Sequence, residues 1–206
     1  MSKLFELVHE DLEITDSLIK DLHRIILVEP YEDRQAEIQP GQWRQLPNYL
    51  YGKLGERIDF APPADVPRLM NDLINWLNNH LHPPKRKRKR YDLHPLVIAA
   101  GFHQQFIAIH PFGDGNGRMA RILTNLILMI AGYVPLIVRT EDREEYFAAI
   151  NVSDVDESAT LAQFFGERLL VSLRLAIKAG KGKDLETMRE REAGLRALND
   201  RLTDEP

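Results

Sequence analysis

The stretch HPFGDGNGRMAR, His110 to Arg121, places a histidine, an acid, three glycines and two arginines within twelve positions. Gly113, Gly115 and Gly117 leave backbone N–H groups unobstructed by side chains. Gly115 and Gly117 can take positive φ, and Asn116 tolerates it better than most residues. Successive N–H groups turned inward form an anion-binding nest, and a helix starting near Gly117 adds its positive N-terminal end, so a phosphate is favoured there twice. Arg118 and Arg121 lie three apart on the first turn of that helix and can reach the same phosphate oxygens. Asp114 sits inside this site, where a bare carboxylate would repel the ligand. A Mg²⁺ ion resolves the conflict, because it accepts one or two carboxylates and fills its remaining positions with water and phosphate oxygens. His110 ends the preceding helix, where a neutral imidazole can take a proton from an incoming hydroxyl. These parts suit transfer of a phosphorus-centred group, with the nest and metal stabilising charge and the base activating the nucleophile.

A simpler reading is a glycine-rich turn between two helices with Asp114 as a cap. The arginines weigh against it. Two cations at a helix N-terminus oppose its dipole, and an anionic ligand accounts for that cost where a plain turn does not.

The loop is positioned by the elements on either side of it. LHPLVIAAGFHQQFIAIH is apolar on most faces and reads as a buried helix leading into it. A second largely apolar helix, Met119 to Ala131, follows and is stopped by Gly132 and Pro135. Upstream, Glu13 to Leu27 reads as an amphipathic helix with Leu18, Ile19, Leu22, Ile25 and Ile26 at helical spacing, capped by Thr15 or Asp16. Tyr49 alternates with Tyr51, Gly52 and Gly55 bracket a turn, and Ile58 alternates with Phe60, which predicts a β-hairpin over Asn48 to Phe60. A further amphipathic helix runs from Val66 through Leu77, and segments around Tyr146 and Phe165 complete the helical body. The expected fold is mostly α, a helical bundle with one small hairpin, as a single domain over residues 1–180. The highly charged residues 181–206 form a solvated helix or tail.

The 206 residues are 44% hydrophobic and 28% charged, ordinary values for a globular chain. With no cysteine there is no disulfide framework and no thiolate metal site. No signal peptide is evident and no apolar run is long enough to span a bilayer, so a cytoplasmic, soluble protein is the expectation. The net charge of −4 includes the cationic run Lys85 to Arg90, so the rest of the chain is strongly acidic. That is not the footprint of a nucleic-acid binder, and the run reads as a solvated loop able to steer an acidic target. His94 and His103 lack the spacing of a metal pair with His110 and read as structural, and Trp43 and Trp76 read as packing residues.

The residues His110 to Arg121 match the signature His-x-Phe-x-Asp/Glu-Gly-Asn-Gly-Arg-x-x-Arg at every specified position, and the chain resembles the Fic family over most of its length. GQWR with the hairpin and APP resembles the family's flap region, and NLILMIAGYVP and REEYFAAI resemble the segments after the motif. The resemblance implies a protein adenylyltransferase that moves AMP from ATP to a Ser, Thr or Tyr hydroxyl of a target protein. It implies His110 as general base, Phe112 as a buried anchor and Asp114 as the Mg²⁺ ligand. Gly113 and the nest Gly115–Asn116–Gly117 would hold phosphates, Arg118 would contact them, and Arg121 would take the γ-phosphate region. Tyr146, with Phe147, would border the nucleotide base, while Asp154 stands where the family often has Asn and receives no role. The flap Asn48–Phe60 would hold an extended target segment by strand addition. Within the same fold, transfer of UMP, phosphate or phosphocholine is the alternative, and a non-catalytic nucleotide- or nucleic-acid-binding module is the outsider.

Many family members carry an inhibitory helix, Ser/Thr-x-x-x-Glu-Gly/Asn, whose Glu pairs with the second motif arginine, here Arg121. SKLFEL places Leu7 after Glu6, and TMRERE places Arg191 where the Glu should stand, so neither matches. The expectation is a chain poorly autoinhibited by itself, with an inhibitory helix upstream or on a separate antitoxin-like protein docking at Arg121.

Overall fold

The computed structural model describes residues 12–27, 39–52, 55–83, 93–150 and 158–180. In chain order these form α1 (Asp16–Leu27), strands β1 (Tyr49–Tyr51) and β2 (Arg57–Asp59), α2 (Val66–Leu81), α3 (Pro95–Ile109), α4 (Asn116–Ile130), α5 (Arg143–Ile150) and α6 (Ser158–Gly180). A short 3₁₀ turn, Thr140–Asp142, precedes α5. The fold is therefore mostly helical with one antiparallel hairpin, as the sequence predicts. The cationic run Lys85–Arg90, Asp154, both near-matches to the inhibitory pattern and residues 181–206 lie outside the described residues. Among the described residues no helix is long and apolar enough to cross a membrane.

Helix α3 is the central rod. It is apolar on nearly every face and packs against α2, α4 and α6. Pro95 suits its first turn, and the His94 side chain accepts a hydrogen bond from Leu96 N (3.2 Å). Gly101 lets α2 approach closely: a methyl group there would meet the Trp76 ring at 3.3 Å. Both tryptophans are packing residues, with Trp43 buried against Phe112 at a ring-centroid distance of 4.8 Å.

Two boundaries depart from the sequence reading. Helix α1 begins at Asp16 rather than Glu13, because Thr15 Oγ1 accepts from Leu18 N (3.2 Å) and closes the start. On α1 it is Ile19, Leu22, His23 and Leu27 that are buried, while Ile25 faces outward. Helix α4 begins at Asn116 rather than Met119, since Gly115 takes φ 80° and its carbonyl accepts from Met119 N (2.9 Å). At the other end of α4, Gly132 adopts φ 85° and Tyr133 N donates to Leu128 O (2.9 Å), closing the helix as the glycine predicts. The hairpin pairs Tyr49 with Asp59, Leu50 with Ile58 and Tyr51 with Arg57, and both strands are exposed along their length. Its mouth is closed by Phe60 N donating to Asn48 O (3.1 Å).

Candidate active site

The loop between α3 and α4 is braced from within. Asn116 is buried, accepts from Phe112 N and donates to Phe112 O, both at 2.9 Å. That pair of bonds folds Phe112–Asn116 into a closed turn and anchors the fully buried Phe112 ring. The amides of Asn116 and Gly117 precede the first intrahelical bond of α4, so they have no acceptor within their own helix and stand at its positive end. Asp114 Oδ1 accepts from Gly115 N (2.6 Å).

A second brace comes from α1. Gly41 N donates to His23 Nδ1 (2.8 Å), so the proton of this ring lies on Nε2, which donates to Asp114 O (2.9 Å). The ring stacks on Phe112 with centroids 3.6 Å apart and planes within 5°. Burial lowers the His23 pKa, which keeps the ring neutral. His23 therefore fixes the peptide of Asp114 from across the fold. Only its place among the apolar positions of α1 hints at this in the sequence.

His110 caps the C-terminus of α3 in the left-handed region, φ 52° and ψ 60°, with its N–H donating to Phe106 O (3.0 Å). Such a conformation costs an ordinary residue about 1–2 kcal/mol. It turns the imidazole back, so that Nδ1–H donates to Ile107 O (3.3 Å) and Nε2 keeps the lone pair. The ring of Phe60, just past β2, lies over the imidazole at 3.8 Å and 12°. Burial, helped by the Arg44 cation, lowers the His110 pKa to about 4, against the raising effects of Ile107 O and the Asp114 carboxylate. His110 is thus a neutral acceptor at pH 7.

Arg118 and Arg121 meet on one side, lining a cavity of about 240 Å³ with Ile26, Ile122 and Asn125. Arg121 also borders a second cavity of about 230 Å³ with Thr124, Asn125, Leu136, Ile137, Val138 and Phe165. Arg121 and Asn125 line both cavities, so the two adjoin as a groove along the first turns of α4. Beneath Arg121 lies Tyr146, buried, with its ring centroid 6.0 Å from the guanidinium. The resemblance puts Tyr146, with Phe147, at the border of the nucleotide base. The Tyr146 hydroxyl turns inward to His103 Nε2 (2.9 Å), and Phe147 beside it is exposed.

The hydrogen-bond directions of this buried chain are settled by chemistry. Thr124 Oγ1 donates to Ala120 O (2.7 Å), so it accepts from His103 Nδ1–H (2.8 Å), and His103 Nε2 accepts from Tyr146 OH. Burial and the nearby Arg121 cation push the His103 pKa down to about 3. His94 and His103 are thus structural, as their spacing suggests.

His23, His103 and His110 all have folded pKa values below the ordinary 6.5. The stability they contribute is complete above about pH 6.5 and is lost as pH falls through their folded values, since only the unfolded chain binds the proton. Urea midpoints should therefore decline steadily from pH 7 to pH 4.5, each histidine adding up to about 1.4 kcal/mol per pH unit. Midpoints that stay level over that range would contradict this account.

Among the described residues no group of three or more His, Asp or Glu side chains converges to hold a metal. Asp114 is a lone carboxylate just ahead of the α4 start, its Oδ1 held by Gly115 N. That donor set fits Mg²⁺, which draws most of its ligands from phosphate and water.

A helical bundle built round a buried α3, a short exposed hairpin and a motif loop with a histidine at one end and arginines at the other define a Fic-type domain. A profile of the Fic/DOC family matches residues 13–128, more than half of the chain, and the chain belongs to that family. It is 31% identical over 163 residues to the protein adenylyltransferase Fic of Aedes aegypti, covering 78% of this chain and 29% of that protein. This chain therefore spans under a third of the length of that relative. Among solved structures, a Fic-domain-containing signaling protein from Bacteroides thetaiotaomicron superimposes with a TM-score of 0.77 at 30% identity, covering 89% of this chain and 69% of the other. A Fic-1 fragment from C. elegans superimposes with a TM-score of 0.65 at 28% identity, covering 82% and 45% respectively.

Proposed function

We propose that this chain is a protein adenylyltransferase, moving AMP from ATP to a Ser, Thr or Tyr hydroxyl of a target protein. The observation that carries the reading is the neutral His110, its Nε2 lone pair available, one tight turn from a loop whose amides and arginines suit phosphates. Kinship with proteins named adenylyltransferases supports it.

In the reaction, the target hydroxyl oxygen bonds to the α-phosphorus and its proton passes to His110 Nε2. The bond from the α-phosphorus to the bridging oxygen breaks, and pyrophosphate leaves with that electron pair. The amides of Asn116 and Gly117, at the α4 N-terminus, receive the phosphate oxygens, with Gly113 leaving the approach open. Arg118 and Arg121 hold the phosphates beyond, and Tyr146 supports Arg121 from beneath at the edge of the nucleotide site. Asp114 would hold Mg²⁺, which when bound neutralises charge on the phosphates. The exposed hairpin Asn48–Phe60 offers strand edges to an extended target segment. Arg121, at the groove mouth, is also where an inhibitory protein would dock. A cytoplasmic setting, supplied with ATP, goes with this reading.

Incubation of the chain with Mg²⁺ and lysate proteins tests the proposal with ATP labelled at either the α- or the γ-phosphate. Adenylylation transfers only the α label to protein. Transfer of the γ label instead would mean a kinase, and transfer of neither would sink the reading.

A further inference from the structure

Arg44 is buried, yet among the described residues no carboxylate meets it. Among the described residues its guanidinium donates to main-chain carbonyls alone. Nε donates to His110 O (2.7 Å), Nη1 to Leu46 O (3.0 Å), and Nη2 to Ile109 O (3.3 Å) and Ala61 O. Its own amide donates to Pro111 O (2.9 Å). Leu46 and Ala61 flank the hairpin on either side, while Ile109, His110 and Pro111 are the end of α3 and the turn beyond it. One planar fork thus ties both legs of the hairpin to the segment that carries His110.

The physical chemistry favours arginine here. The exposed carbonyls of a helix C-terminus carry partial negative charge, so a cation is stabilised there without a counter-ion. Five donors in a fixed plane reach carbonyls from several segments, which a single ammonium cannot do. The His110 carbonyl it holds belongs to the left-handed residue, so the bond offsets the cost of that conformation. The Ala61 carbonyl it holds follows Phe60, whose ring covers the imidazole. The phosphate loop is braced separately, by Asn116 and His23.

We infer that Arg44 is a positioning residue for the transfer step: it sets the distance between the hairpin, with any target backbone paired to it, and the Nε2 atom of His110. This rests on the transfer reading above. Misplacement of reacting groups by about 1 Å costs roughly a hundredfold in rate without weakening the binding of a separately held ligand.

The test compares the full chain with Arg44→Met and Arg44→Lys. Three quantities are measured: the affinity for a non-hydrolysable ATP analogue with Mg²⁺, amide hydrogen exchange, and the rate of α-label transfer to lysate proteins. In Arg44→Met, exchange should rise about tenfold or more at Tyr49–Gly52, Arg57–Phe60 and His110. It should stay at the wild-type rate in the first turn of α4, with the analogue affinity within about twofold. Transfer should fall by about 10- to 100-fold in kcat with the KM for ATP unchanged. Arg44→Lys keeps the charge but not the fork and should fall between. Uniformly faster exchange together with lost analogue affinity in both variants would show a general stability role and overturn the proposal. Equal transfer by wild type and Arg44→Met overturns it too, and leaves the transfer reading standing. A wild-type chain that transfers no α label overturns the transfer reading itself.

Discussion

Replacing His110 with alanine should lower the rate of α-label transfer by about two to four orders of magnitude while leaving nucleotide affinity nearly unchanged. The split follows from where the side chain sits. The imidazole bonds to Ile107 O through Nδ1 and lies flat beneath Phe60, and among the described residues it makes no bond to the motif loop. Phosphates would be received by the loop amides and by Arg118 and Arg121, all of which survive the substitution. The pH dependence carries a second signature. Because burial and the Arg44 cation hold the His110 pKa at about 4, the ring is neutral throughout the physiological range. The base-dependent limb of the rate should therefore remain flat from pH 8 down to about pH 5, a range in which an ordinary histidine with a pKa near 6.5 would lose most of its activity. Initial rates at saturating ATP and calorimetric titration with a non-hydrolysable analogue check both points. Equal transfer by the two proteins, or a half-loss of rate near pH 6.5, would remove His110 from the role given to it.

The second large effect is expected at Asn116. Its side chain pairs with both the N–H and the carbonyl of Phe112, each at 2.9 Å, in a buried turn. Asn116→Ala would strand two buried main-chain groups, and each such group costs about 1–3 kcal/mol. The expected loss of about 2–6 kcal/mol is a large share of a typical domain's 5–15 kcal/mol. It should appear as a lower urea midpoint with the slope unchanged. Analogue affinity should fall by tenfold or more, since the same two bonds shape the amide nest. Asn116→Asp can still accept from Phe112 N but cannot donate to Phe112 O, and it adds a negative charge where phosphates should bind. It should keep more stability than alanine yet bind the analogue no better. A midpoint within about 0.5 kcal/mol of wild type for Asn116→Ala would show that the turn closes without its brace.

Several structural facts about this site are visible in the chain itself, because they depend on backbone geometry over a few residues. Apolar residues on nearly every face of 95–109 announce a buried helix, and glycines at 113, 115 and 117 announce a turn. Alternation around Tyr49–Tyr51 and Ile58–Phe60 announces the hairpin. Arg118 and Arg121 share one side because three residues make nearly one helical turn. Where such local reasoning slips, it slips at the ends. Gly115 in the left-handed region starts α4 three residues earlier than its apolar pattern does, and Thr15 starts α1 later.

The sequence by itself determined the order of histidine, carboxylate, glycine-rich turn and paired arginines, since all of these follow from spacing within one helix–turn–helix. Tertiary structure alone decided how those groups are tuned. The state of His110 depends on Arg44, 66 residues away, and on the ring of Phe60. The peptide of Asp114 is held by His23, 91 residues away, and Tyr146 turns inward to a histidine 43 positions earlier. Burial, tautomer and the charge of neighbours arise where distant segments pack, and no periodicity in the chain encodes which carbonyl a buried arginine or histidine will meet.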